Sequence, residues 1–202
     1  MRAVLRFVAS VMMVSGALLI TDAGVTLLWQ EPVSWFLANR QQAKLEDALA
    51  EPPRRVLARQ PLEGDAIGKI SIPSIGVSEF VVEGTDTANL RKGPGHYPST
   101  PLPGERGTAA IAGHRTTYGA PFRHLDDLRA GQPVAVDLPY GRFVYRVERI
   151  RIVDDQDLSV LRRVGYDRLV LTACHPLYSA AERVVAFARL LRRERTRVVR
   201  GS

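Results

Sequence analysis

The sequence predicts a mainly β domain, a closed or partly closed barrel with short helices, that follows a transmembrane helix. Two observations carry this prediction. Short β-type segments separated by Gly and Pro begin after residue 65, and one long apolar segment lies near the amino terminus. The composition agrees, because 46% of the 202 residues are hydrophobic, which is too many for a disordered chain.

The apolar segment covers residues 7–30 and contains a single charge, Asp22. It is long enough to cross a membrane, which takes roughly 20 apolar residues. Arg2 and Arg6 precede it, so the positive-inside rule places the amino terminus in the cytoplasm and the rest of the chain outside. A cleaved signal peptide is the alternative. The length of the segment, and the lack of a clear small-x-small site before Asp22, favour an uncleaved anchor within residues 1–30.

Residues 31–65 are predicted to form an extracellular stalk. A short amphipathic helix is expected at 33–50. Pro52, Pro53 and Pro61 then interrupt any regular structure. Because prolines argue against a long helix, the segment is interpreted as a semi-rigid spacer, and a disordered tether is the alternative.

Residues 66–192 form the predicted barrel domain. Segments 134–138 and 143–153 are separated by a short turn, and polar residues alternate along the second, which predicts a hairpin with one solvent-exposed face. The seven predicted strands are residues 67–72, 77–82, 108–113, 133–138, 143–153, 167–174 and 182–191. Short helices are predicted at residues 87–92, 121–128 and 157–164.

The formal charge of +7 lies mostly at the two ends of the chain. Arg2, Arg6 and the arginines from residue 192 onward carry most of it, and the barrel domain is nearly balanced. A nucleic-acid-binding domain usually has a basic stripe on its folded body, so no nucleic-acid partner is predicted. The basic tail at 193–202 is interpreted either as a frayed terminus or as a segment lying against anionic wall polymer or lipid.

Cys174 is the only cysteine, so the chain has neither an internal disulfide nor a cysteine-rich zinc site. It ends the predicted strand 167–174. A buried structural cysteine is one interpretation. The other is a nucleophile, which is favoured because an unpaired thiol outside the cell is a liability unless it is used.

A nucleophilic thiol needs a base nearby, and two histidines are candidates. His175 is adjacent to Cys174, but neighbouring side chains on a strand point to opposite faces. His114 follows the strand 108–113 and is favoured. His96 and His124 are expected to be solvated or capping residues.

Arg183 begins the strand that should pair with the one bearing Cys174. A hairpin would place the two residues close together. Arginine keeps its charge and offers a rigid fork of donors, which suits a developing oxyanion. A merely solvated arginine is the alternative.

Three motifs resemble the sortase family: GHRTTYGAPF around His114, LTACHP around Cys174 and ERVVAFARL around Arg183. Their forms are most similar to the class E housekeeping sortases of high-GC Gram-positive bacteria. The resemblance covers residues 66–192 and implies a sortase-like closed β-barrel of about seven or eight strands.

The resemblance implies a cysteine transpeptidase without a cofactor. Cys174 would attack the Thr-Gly carbonyl of a carboxy-terminal sorting signal, His114 would protonate the leaving amine, and Arg183 would stabilise the oxyanion. The thioester would pass to an amine of a lipid II-like cell-wall precursor. An LAxTG-like signal on secreted proteins is expected. The substrate-binding candidates are Tyr118, Thr172 and His175. No metal site is predicted, and calcium dependence stays open.

Rival interpretations fit less well. An L,D-transpeptidase would have His and Gly just before the cysteine, where this chain has Ala173. A papain-like peptidase would have its cysteine before its histidine. A membrane-tethered binding module and a pilin-polymerising sortase remain as alternatives.

Overall fold

The computed structural model describes residues 2–194. Its first element is helix α1, Arg2–Ala50. Within α1, Val4–Thr21 is long and apolar enough to cross a membrane, and its side chains are not buried against the protein. This helix is consistent with the predicted anchor.

The segment predicted as a stalk differs from the expectation. Residues 31–50 continue α1 without a break, so the helix expected at 33–50 is present, but as the end of a long helix rather than as a short separate one. The helix ends before Pro52 and Pro53, as the sequence indicates, because proline lacks the N–H that a helix needs. A single turn, α2 (Arg54–Leu57), separates α1 from the barrel.

The barrel has eight strands and is closed, which confirms the predicted fold class. The strand order around it is β1-β2-β3-β4-β7-β8-β6-β5. All seven predicted segments are strands; the eighth, β3, has two residues and was missed. The strands are β1 (Ala66–Ile72), β2 (Val77–Glu83), β3 (Gly95–His96), β4 (Thr108–Ala112), β5 (Pro133–Leu138), β6 (Gly141–Asp154), β7 (Arg168–His175) and β8 (Glu182–Glu194).

Strand β4, residues 168–173 of β7 and residues 184–188 of β8 are adjacent and are buried on both faces. Ile111, Leu171 and Ala186 point into the barrel core. On the outer face, Val170 and Phe187 belong to a second apolar cluster, covered by the loop between β6 and β7. Burial on both faces explains why these parts of the strands are mainly apolar runs rather than alternating patterns.

The predicted hairpin is confirmed, since β5 and β6 pair in antiparallel register. The helical predictions were less accurate. Residues 87–92 contain α3 (Thr87–Leu90). The other two segments contain only 3₁₀ turns, at Leu125–Asp127 and Leu158–Leu161. We call the second the wall turn, and the Asp157 carboxylate caps it by accepting from the Ser159 N–H at 3.0 Å.

Candidate active site

Three neighbouring strands bring the predicted catalytic residues to one end of the barrel. Cys174 on β7 and Arg183 on β8 are directly paired in antiparallel register, which puts their Cα atoms about 5 Å apart. On the other side of β7, β4 runs parallel to it, and Gly113 N–H donates to the Thr172 carbonyl at 3.0 Å. The pairing ends with Ala112 opposite Thr172, and continuing this register by two residues brings His114 level with Cys174.

A tight loop follows β4 and holds His114. A Cβ on Gly113 would lie 2.6 Å from the buried Phe122 ring, so only glycine fits there. Phe122 N–H donates to the His114 carbonyl at 3.0 Å and closes the loop. Tyr118 and Ala120 lie in the left-handed region, at φ 51° and 45°, a conformation that costs about 1 kcal/mol or more per residue.

The His114 ring is desolvated. Its buried Nε2 has no hydrogen-bond partner among residues 2–194. Burial lowers the pKa of His114 below its ordinary value, and the positive charge of Arg91 lowers it further. The Tyr118 ring lies 5.1 Å from the His114 ring, and the Arg91 guanidinium lies 5.4 Å from the Tyr118 ring. The imidazole is therefore biased towards its neutral form.

The Cys174 thiol is half-buried and free. The sequence did not indicate Arg115, which is 3% exposed and contacts the backbone of Cys174. Arg115 donates through Nη1 to the Cys174 carbonyl at 3.3 Å and approaches His175 Nδ1 at 3.1 Å. The guanidinium thereby ties the loop that bears His114 to the strand that bears Cys174.

The rest of the Arg115 fork is also used. Its Nε donates to the Arg123 carbonyl at 3.2 Å, and Nη2 pairs with the Asp126 carboxylate at 2.5 Å. Burial alone would raise the pKa of Asp126, but the hydrogen bond and charge of Arg115 lower it below its ordinary value. Nothing in the letters GHR distinguishes a buried arginine from a solvated one, so the sequence held no signal for this network.

Arg183 lies in a cleft on the outer face of the barrel. Its Nη1 donates to the carbonyls of Ala180 and Glu182, at 2.8 and 2.9 Å, and Nη2 lies 4.0 Å from the Asp155 carboxylate. The cleft contains the side chains that flank Cys174 on the sheet and those of the wall turn above them. Its lining residues are Tyr97, Val153, Asp154, Asp155, Asp157, Leu158, Val160, Leu161, Thr172, Arg183 and Val185.

The predicted substrate-binding residues are not equivalent. Thr172 lines the cleft, and its hydroxyl shares a 3.2 Å hydrogen bond with the Tyr97 hydroxyl. Arg183, Cys174 and His114 form a row across the three strands. Tyr118 lies at the His114 end of this row, away from the cleft, with its ring against that of His114. His175 has its Nδ1 against Arg115, so only the other edge of its ring is left for a ligand.

The remaining histidines divide into one correct and one incorrect expectation. His124 is solvated, as expected, with a side chain that is 59% exposed and pairs with Asp127 at 3.0 Å. His96 is buried, contrary to expectation. Its Nδ1 contacts Glu83 at 2.8 Å and its Nε2 contacts the Pro101 carbonyl at 3.0 Å. It was misjudged because β3, which bears it, was missed.

Across residues 2–194, no group of three or more His, Cys, Asp or Glu side chains is arranged to hold a metal ion.

The half-buried thiol, an imidazole and a guanidinium thus lie at the same end of three neighbouring strands, β4, β7 and β8. The chain belongs to the sortase family, because the sortase-domain family model matches residues 70–191.

Named relatives support the family. Sortase D of Bacillus subtilis (strain 168) is 37% identical over 118 residues, which are 58% of this chain and 58% of that protein. Sortase SrtE1 of Streptomyces coelicolor is 27% identical over 202 residues, 92% of this chain and 57% of that protein. The crystal structure of sortase E1 from Streptomyces coelicolor, with a tripeptide in its active site, superposes with a TM-score of 0.61 at 25% identity, covering 64% of this chain and 90% of that one. The chain thus spans less than two thirds of the length of these two curated relatives.

Proposed function

We propose that this protein is a membrane-anchored cysteine transpeptidase that cleaves a carboxy-terminal sorting signal and joins the released protein to a cell-wall amine. The observation that carries the proposal is the pairing of Cys174 on β7 with Arg183 on β8, with His114 at the start of the loop that follows the neighbouring strand β4. Membership of the sortase family and the tripeptide in the active site of sortase E1 support a peptide substrate.

The first half-reaction makes a thioester. The Cys174 sulfur, its proton passed to His114, attacks the Thr-Gly carbonyl carbon. The negative charge that develops on the carbonyl oxygen is met by the Arg183 guanidinium, whose fork of donors suits an oxyanion. The C–N bond then breaks, and the leaving amine takes the proton from His114.

The second half-reaction uses an amine of a cell-wall precursor. This amine attacks the thioester carbonyl and loses a proton to His114, and the collapse of the adduct forms a new amide and restores the thiol. The desolvated His114 ring suits both roles, because a lowered pKa makes the imidazolium a readier proton donor and leaves a neutral ring to accept the next proton.

The sorting signal would lie in the cleft between the wall turn and β7. Thr172 lines this cleft, and Leu158 on the wall turn offers an exposed apolar side chain to the signal. Tyr118 would contact the signal beside His114. His175 could meet it only with its Nε2 edge, because its Nδ1 faces Arg115.

We further propose that the enzyme is of class E and prefers LAxTG-like signals on secreted proteins. The motif around Tyr118 and the similarity to SrtE1 over 92% of this chain support this class. The higher identity to Sortase D, over a shorter stretch, is the reason to test LPxTG-like signals in parallel.

The test uses the full chain in detergent micelles with fluorogenic LAxTG and LPxTG peptides, with and without an added amine. We expect cleavage, an amide product when the amine is present, and a preference for LAxTG. Cys174→Ala should lower turnover at least about a thousandfold, and Arg183→Lys, which keeps the charge but loses the fork, about a hundredfold.

Two results would overturn the proposal. One is turnover that survives Cys174→Ala. The other is a folded wild-type protein that binds the peptides but forms no acyl adduct by intact mass, which would favour a binding module. A preference for LPxTG would contradict only the class assignment.

A further inference from the structure

The last turns of α1 dock on the barrel. Ala38 and Leu45 are 7% and 6% exposed, whereas the side chains of Val4–Thr21 in the same helix are not buried. The carboxy-terminal part of α1 is therefore packed as a part of the barrel domain, although the sequence suggested a spacer.

Gln42 fixes this part of the helix through three hydrogen bonds to backbone groups. Its Oε1 accepts from the Phe80 N–H at 2.6 Å, and its Nε2 donates to the carbonyls of Phe80 and Lys92 at 3.1 and 2.8 Å. Strand β2 pairs with β3 only at Val82 and Glu83, so within residues 2–194 no strand lies beside its outer edge at Phe80. The Gln42 amide takes the place of that missing strand.

The fit around Gln42 is close. A Cβ on Gly93 would lie 2.2 Å from Gln42 Nε2, so the amide occupies space that any other residue at position 93 would fill. Without the Gln42 amide, the Phe80 N–H and the carbonyls of Phe80 and Lys92 would each lose a hydrogen bond. The contact is therefore specific to this side chain.

The docked helix also lies close to the loop that bears His114. A Cβ on Gly119 would lie 3.3 Å from Ala38 Cβ, and Gly119 has a left-handed φ of 77°. Gly119 follows Tyr118, whose ring lies 5.1 Å from that of His114. A small cleft between helix and loop is lined by Gln42 and Tyr118 together.

We propose that Gln42 is a positioning residue for the active site. By fixing α1 on the edge of β2, it places Ala38 against Gly119 and supports the left-handed Tyr118–Ala120 turn beside His114. The structural coupling stands on these contacts alone, and its catalytic consequence rests on the proposed function.

The first test is hydrogen exchange on the full chain in detergent micelles. Gln42→Glu keeps the shape of the side chain but puts a carboxylate against two carbonyls. Gln41→Glu makes the same charge change one residue away, where none of the three bonds is made. We expect Gln42→Glu to speed exchange about tenfold at the amides that close the His114 loop, those of Ala120, Phe122 and Arg123, with Gln41→Glu close to wild type.

A second pair of variants tests the contact at Gly119. Ala38→Leu should push into the loop and give the same faster exchange, whereas Ala43→Leu, at an exposed position of the same helix, should not. Faster exchange confined to α1 and the Phe80 edge, with the loop unchanged, would overturn the coupling.

The catalytic consequence is tested with the sorting-signal peptides. Gln42→Glu should lower kcat about tenfold with a smaller change in KM. The substitution disturbs the turn beside His114 and leaves the cleft between the wall turn and β7 unchanged. Equal kcat values for Gln42→Glu and Gln41→Glu, with an active wild type, would overturn the positioning role. An inactive wild type would contradict the proposed function instead, and hydrogen exchange would still decide the coupling.

Discussion

At the scale of single residues, the site depends on how a desolvated imidazole is tuned by its surroundings. Burial and the charge of Arg91 both lower the pKa of His114. Arg91 is exposed on the surface, so its effect passes partly through water and falls as salt screens it. Burial is the larger cause and should not respond to salt.

Replacing Arg91 by Gln should therefore raise the pKa of His114, because it removes a positive charge that opposes protonation. The limb of the pH-rate profile that follows His114 should move to higher pH, and the difference from wild type should shrink at high salt. NMR titration of the His114 ring measures this directly. Lys92→Gln is the control, since it removes the neighbouring charge in sequence; an equal shift in both variants would contradict the specific role of Arg91.

At the scale of elements, the wall turn is held by a buried cation. Arg168 is 4% exposed, and its Nη2 donates to the carbonyls of Val160 and Arg162 at 2.8 and 2.9 Å. Burial lowers its pKa, because removing the guanidinium from water disfavours its charged form. Its guanidinium also lies 5.0 Å from the Phe187 ring. These contacts oppose the cost of removing the Arg168 charge from water.

We expect the contacts of Arg168 to outweigh its desolvation, because Arg168→Met would leave the buried Val160 carbonyl without the donor that Arg168 Nη2 provides. The variant should lose about 1–3 kcal/mol of unfolding free energy and raise KM for the peptide several-fold, with a smaller change in kcat, since the wall turn lines the cleft. Urea unfolding and Michaelis profiles measure the two effects. Arg162→Met is the control, because its side chain is exposed and its backbone carbonyl is kept. Stability equal to wild type in Arg168→Met would show that desolvation cancels the bonds.

The sequence predicts the strands that carry a local pattern and misses the one that does not. Seven strands were found because their apolar and β-branched residues form runs that need no long-range information. Strand β3 was missed, because two residues carry no pattern and their pairing is decided by β2 and β4. The row of Cys174, His114 and Arg183 was predicted from strand ends and motifs.

The contacts that support this row could not be predicted. Arg115 meets Cys174 and His175 across about 60 positions of sequence. Gln42 bonds to backbone groups 38 and 50 positions away, which no local pattern reveals. A polar residue on a helix reads as solvated until the surface opposite it is known.

At the scale of the whole molecule, α1 joins the apolar segment Val4–Thr21 to the barrel. The amino-terminal part of α1 exposes large apolar side chains such as Leu5, Met12 and Leu19. Soluble monomers rarely expose an apolar surface of this extent. The same helix ends against the barrel at Ala38 and Leu45. We propose that Val4–Thr21 crosses the membrane with the amino terminus in the cytoplasm and the barrel outside.

The lone thiol makes this orientation measurable. A membrane-impermeant maleimide should label Cys174 in intact cells or right-side-out vesicles as completely as after detergent opens them, since the barrel would already face the reagent. Inverted vesicles should label only after opening. The Cys174→Ala variant gives the background. Labelling is expected to be slow because the thiol is half-buried. Burial slows labelling equally before and after detergent treatment, so the ratio of the two labelled fractions reports only the accessibility of the barrel. Labelling of intact inverted vesicles would place the barrel in the cytoplasm, where secreted substrates and a cell-wall amine cannot reach it, and would contradict both the topology and the proposed reaction.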